Sequence, residues 1–212
     1  MKRLILFLVL TFSIVAAQAQ ITADVVDVMS RCRTAMTNPA GLEYEMDIKT
    51  GMGPMSMKMH IVSAEKGNLH RMKLTMRFMG VDIVSQSGFD GTNTWEVKQS
   101  DPRDTITITS GDKSKKGDKE LSFDLDKQYN KAKMKLKDGY YEITFSEPKD
   151  KSSKVKSVTV KISEKNYTMR ELKTTASGVK ATMTVTKIRV GLKDNYFKLD
   201  MSKYPDAVVV KE

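Results

Sequence analysis

Methionine is the residue type whose number and spacing most invite a chemical reading, with 15 in 212 residues. Met46, Met52, Met55, Met57, Met59, Met72, Met76 and Met79 crowd into one short stretch. Soft thioethers select Cu(I), and the same flexible, polarizable side chains can reshape around apolar ligands. In MSMKMH, residues 55–60, alternation puts three sulfurs on one strand face and His60 on the other. Same-face neighbours along a strand are about 7 Å apart, so a single strand chelates poorly. Three readings of the stripe stand side by side: core packed beneath a helix, a Cu(I) site, and the wall of an apolar ligand cavity.

Other residues offer less. His60 and His70 flank a predicted turn at Glu65–Asn68 and do not face each other across it. No G-x-S-x-G elbow, H-E-x-x-H helix or Cys-His-Asp set occurs. Glu43 and Glu45 share the wet face of one strand and read as outward charges. Gly51–Pro54 is a turn without the strand and helix that a phosphate loop needs. Cys32 lies on the apolar face of a helix, where a buried thiol is inert. These residues point away from an enzyme, and no cofactor is expected.

The elements that must position the methionines follow from periodicity. Val25, Met29, Cys32 and Met36 recur at the spacing of one helical face, predicting an amphipathic helix over Thr22–Met36. Asp24 and Asp27 near its start and Arg31 and Arg33 near its end suit the macrodipole, and Asn38, Pro39 and Gly41 stop it. The period then changes to 2. Tyr44, Met46 and Ile48, then Met57, Met59 and Ile61, then Met72, Leu74, Met76 and Phe78 form the apolar stripes of three strands in a meander. Trp95, on a shorter strand after the DGTN turn at Asp90–Asn93, is grouped with the same face. Further strands follow Asp138-Gly139, Glu164–Asn166 and Ser177-Gly178. Residues 120–132, ELSFDLDKQYNKA, are expected to form a short lid segment. The count is ten or eleven strands, in one antiparallel sheet.

The chain opens MKRLILFLVLTFSIVAAQAQ, with Lys2 and Arg3 ahead of an apolar run and small residues at Ala17 and Ala19. That is a secretory signal with cleavage expected after residue 19, and its run is too short to span a bilayer. Residues 20–212 then form a single soluble, monomeric domain in the periplasm. A lipid-anchored protein would carry a cysteine directly after its signal; Cys32 comes too late. The formal charge of +10, or +8 without Lys2 and Arg3, suits anionic surfaces, and export argues against nucleic acid.

In order and spacing these pieces resemble the outer-membrane lipoprotein carrier family, LolA, with its fold relatives LolB and RseB. The resemblance rests on the N-terminal helix, the meander, FDGTNTWEV (Phe89–Val97) and the closing KDNYFKLDMSKYPDAVVV. It implies an unclosed antiparallel β-barrel of about eleven strands, with the N-terminal helix and short lid helices over an apolar cavity. Tyr44, Met46, Ile48, Met57, Met59, Ile61, Met72, Leu74, Met76, Phe78 and Trp95 would line that cavity and receive acyl chains of lipoproteins or related lipids. An inner-membrane ATP-driven release complex would load it and an outer-membrane acceptor unload it. An RseB-like sensor of mislocalised lipoproteins and a Met-rich copper-binding protein are the alternatives. Where the family has Arg before Pro in the turn into the third strand, this sequence has Lys66 and Gly67. The implied lid latch at Lys66 is then a point charge without the guanidinium fork. The family's terminal Pro-Pro is reduced to Pro205.

Overall fold

The computed structural model describes residues 20–52, 55–78, 81–99, 103–112 and 124–212, without the side chains of Met52, Met55 and Phe78. The signal segment 1–19, Met79, Pro54 and the 120–123 part of the expected lid lie outside them. Helix α1 spans Ala23–Ala35, opening after an extended Thr22 and bearing Asp24 in its first turn and Arg33 in its last. Gly41, at φ +89°, turns the chain into the sheet, where a Cβ would stand 2.9 Å from Leu192 Cβ.

The strands are β1 Leu42–Met52, β2 Met55–Lys66, β3 Leu69–Phe78, β4 Val81–Phe89, β5 Asn93–Lys98, β6 Thr105–Ser110, β7 Tyr129–Lys137, β8 Tyr140–Pro148, β9 Val155–Ser163, β10 Met169–Ala176, β11 Val179–Val190 and β12 Val208–Lys211. The described residues thus hold twelve, in the order β12-β6-β5-β4-β3-β2-β1-β11-β10-β9-β8-β7. The sheet is unclosed and mainly antiparallel. One detail corrects the expectation of a wholly antiparallel sheet. The last strand, β12, pairs parallel with β6, which accounts for the twelfth strand. The NYF segment before it is a short 3-10 turn at Asp194–Phe197. The lid segment resolves into a four-residue helix α2, Leu125–Gln128, followed directly by β7.

Turn chemistry sets the hairpins. Asp138 and Gly139 both take positive φ, as do Ser177 and Gly178, the geometry of two-residue turns matched to strand twist. At Asp90 the carboxylate accepts from the amides of Thr92 and Asn93 at 2.9 and 2.8 Å. At one open edge, β7 presents Lys131, Lys133, Lys135 and Lys137, and such charges discourage pairing with a further strand.

The main core lies on the front face, beneath α1. Val25, Val28, Met29 and Cys32 from the helix and Met36 just after it meet Phe145, Ile143, Val158, Val160, Ile162, Met183 and Val185 from β8, β9 and β11, with Leu42, Tyr44 and Met46 from β1. Burial pushes the Cys32 thiol up to about 12.

Candidate functional site

Beyond β1 the helix no longer covers the front face, and there the methionines stand. Register fixes which residues share it. Met46 is opposite Ile61 and Ile48 opposite Met59 across β1 and β2. Met59 is in turn opposite Met76, and Ile61 opposite Leu74; Met76 meets Ile83 and Phe78 meets Val81 on β4. Directly opposed side chains in such a ladder have Cβ atoms about 5 Å apart. The result is a continuous apolar surface four strands wide, about 14 Å between its outer strands at ordinary strand spacing.

The eleven residues expected to form one site divide into three sets. Tyr44 and Met46 are buried in the core with α1, and Ile48 and Ile61 pack at its margin. Met57, Met59, Met72, Leu74 and Met76 lie on the uncovered part, where Met57 is 36% and Met72 40% exposed. Phe78 holds a register position on the same surface. Val81 and Ile83, 63% and 45% exposed, extend the surface and were missed by sequence reasoning. Their signal was present, since Val81 and Ile83 alternate with Asp82 and Val84 before Ser85 and Ser87 take over the same face.

Trp95 is corrected. It pairs with Gly88 on β4, one residue out of step with the front-face set, and so points to the back of the sheet. There it is 2% exposed, in a small core with Val97 and Ile106. Its indole N–H donates to the Phe197 carbonyl at 3.0 Å, and the Arg71 guanidinium lies 5.7 Å from its ring centroid. The indole crosses the space above Gly88, where a Cβ would stand 2.6 Å from the ring. Glycine opposite an aromatic was the signal for this register. The back-face packing is supplied by the C-terminal segment, which also buries Glu43 against Arg189 (Nε–Oε1 3.1 Å) and the Tyr196 hydroxyl. Glu43 is therefore no ordinary solvated charge.

Lys66 is corrected as well. Its ammonium donates to the Leu192 carbonyl at 3.0 Å and to Asp194 Oδ1 at 2.7 Å, so it ties the β2–β3 turn to the C-terminal segment. Its backbone position has the back-face parity of Ala64. Helix α1 is held by other groups. Arg33 Nη1 donates to Asp126 Oδ1 at 2.6 Å, binding the helix to α2, and Arg31 lies 5.2 Å from the Tyr167 ring centroid. A cleft of about 340 Å³ separates the end of α1 from the β2–β3 turn, lined by Met36, Asn38, Pro39, Leu42, Glu65 and Lys66.

The histidines remain apart. His60 Nδ1 lies 2.9 Å from Asp47 Oδ1 on the back face, whereas His70 pairs with Glu65 on the front. Among the described residues no helix is long and apolar enough to cross a membrane.

No protein-family model matches the sequence, and no curated protein does. Solved structures do. An uncharacterized conserved protein of Thermus thermophilus is similar at 9% identity, over 89% of this chain and 99% of its own, with a TM-score of 0.51. A LolA superfamily protein of Nitrosomonas europaea is 11% identical over 82% and 97%, TM-score 0.36. The Pseudomonas aeruginosa MucA/MucB complex is 9% identical over 84% of this chain and 62% of the matched one, TM-score 0.47. The likeness is one of fold.

Proposed function

We propose that the protein is a non-catalytic carrier of the cell envelope that holds acyl chains of lipoproteins or related lipids against the front face of its sheet. The observation that carries this reading is the open Met57, Met59, Met72, Met76 and Ile83 surface lying edge to edge with a filled core. A soluble domain rarely leaves a contiguous apolar patch uncovered unless something binds it. Thioether side chains suit a ligand whose shape varies. The N-terminal signal sends the chain to the periplasm in this reading, and transfer partners would be an inner-membrane release complex and an outer-membrane acceptor.

Magnitudes favour a half-open site. Burying acyl chains gains about 0.8 kcal/mol per CH₂, so three enclosed chains of about 15 methylenes would gain about 36 kcal/mol. Non-covalent affinity saturates near about 20 kcal/mol. A carrier that must release its load therefore encloses it incompletely, as an open face does.

Native mass spectrometry of the protein purified from its own periplasm tests the proposal. Lipid or lipoprotein adducts are expected on the wild type and absent from a Met57→Gln/Met76→Gln double variant. A bare wild-type chain that takes up no added lipopeptide or phospholipid would sink the idea.

A further inference from the structure

The Met surface ends on one line. Across the β3–β4 ladder Leu74 faces Ser85 and Met72 faces Ser87. From there the front face is polar at Ser85 and Ser87, up to the buried Phe89 at the end of β4. Ser85 and Ser87 pair with Lys98 and Glu96 on β5, which pair with Thr105 and Thr107 on β6. These six residues form two parallel rows of three strands, a strip about 10 Å wide at ordinary strand spacing. Ser85, Ser87, Thr105 and Thr107 are partly accessible. Glu96 Oε2 and Lys98 Nζ are 3.6 Å apart, with side chains 42% and 68% exposed. In a chain of formal charge +10, this strip is electrically balanced.

Resting on the acyl-chain reading above, we propose that this strip is the headgroup subsite of the same ligand, and that the ligand is a diacyl lipid whose head bears both a phosphate and an ammonium group. The chains lie over Met57–Met76 and the head crosses the Leu74/Ser85 line. Lys98 then meets the phosphate and Glu96 the ammonium, while the hydroxyls hydrogen-bond ester and phosphate oxygens. An exposed ion pair such as Glu96–Lys98 contributes little by itself, so exchanging each partner for a ligand charge costs little. A purely anionic head gains Lys98 but is repelled by Glu96.

The test is isothermal titration of the full-length mature protein with two short-chain lipids of identical tails, dioctanoyl phosphatidylethanolamine and dioctanoyl phosphatidylglycerol. The wild type is expected to prefer the ethanolamine lipid by about fivefold, and Glu96→Lys to invert the order, a change of about 1 kcal/mol each way. Ser85→Val/Ser87→Val should weaken both. Should Glu96→Lys not fold by circular dichroism, Glu96→Gln serves, with the preference abolished instead of inverted. Equal affinity for the two lipids in wild type and variant alike overturns the headgroup subsite and leaves the acyl reading standing. Failure of the wild type to bind either lipid overturns the headgroup subsite, and the acyl reading falls with it when added lipopeptide is not taken up either.

Discussion

One face of one sheet carries two apolar regions that differ in kind. Under α1, the residues from β8 and β9 are Ile143, Phe145, Val158, Val160 and Ile162, all buried. Beyond β1, on β2 and β3, they are Met57, Met59, Met72, Leu74 and Met76, all partly exposed. Branching at Cβ restricts χ1, so valine and isoleucine lock into a fixed fit against Val25, Val28 and Met29. Methionine has three rotatable bonds and fills irregular space without specifying it. Strand alternation is the same in both regions. Strand for strand the side chains differ, but the core also buries Met29, Met36, Met46, Met169 and Met183, so what separates the two regions outright is the cover of α1.

The sharpest way to break this contrast is Phe145→Ala. Phe145 is fully buried, and removing such a ring leaves a cavity costing about 3–5 kcal/mol, read by urea unfolding. A loss under about 1 kcal/mol would mean that the region beneath α1 is not a close-packed core. A second test uses pH. The Cys32 thiol, pushed by burial from 9.0 to about 12, keeps its proton in the folded state while the unfolded thiol ionises. Below pH 9 both states are protonated and its contribution is complete. Between pH 9 and about 12 stability falls by about 1.4 kcal/mol per pH unit. The difference between wild type and Cys32→Ala, followed from about pH 8 to about pH 11, should show that slope; a constant difference would mean that the thiol is hydrated in the folded protein. The smallest effect belongs to the open region. Met72→Thr should change stability by no more than about 0.5 kcal/mol, as exposed sites do, and a cost like that of Phe145→Ala would erase the contrast.

Helix α1, the meander, the DGTN turn and the apolar stripe of β1 to β3 were legible because each depends on neighbours a few residues away. The placement of Trp95 was not. Its strand is apolar on the back through Trp95 and Val97 and polar on the front through Thr94, Glu96 and Lys98, and only pairing with Gly88 says which side is which. The same holds for Lys66, whose partners Leu192 and Asp194 are more than 120 residues away, and for the Arg33–Asp126 pair that ties down α1. Asp126 follows a segment whose pattern changes from alternating to helical, so no local period assigned it a partner.

That the methionines lie on one face follows from the order of residues along each strand, because side chains alternate whatever surrounds them. Tertiary structure alone decided that Tyr44 and Met46 are core while Met57, Met72 and Met76 stay open. A helix of 13 residues can cover only part of a twelve-stranded sheet, and which part depends on where the chain returns, through β11, to pair with β1. That long-range pairing lays α1 over β8, β9 and β11 and leaves Met57, Met72, Val81 and Ile83 of β2 to β4 exposed among the described residues.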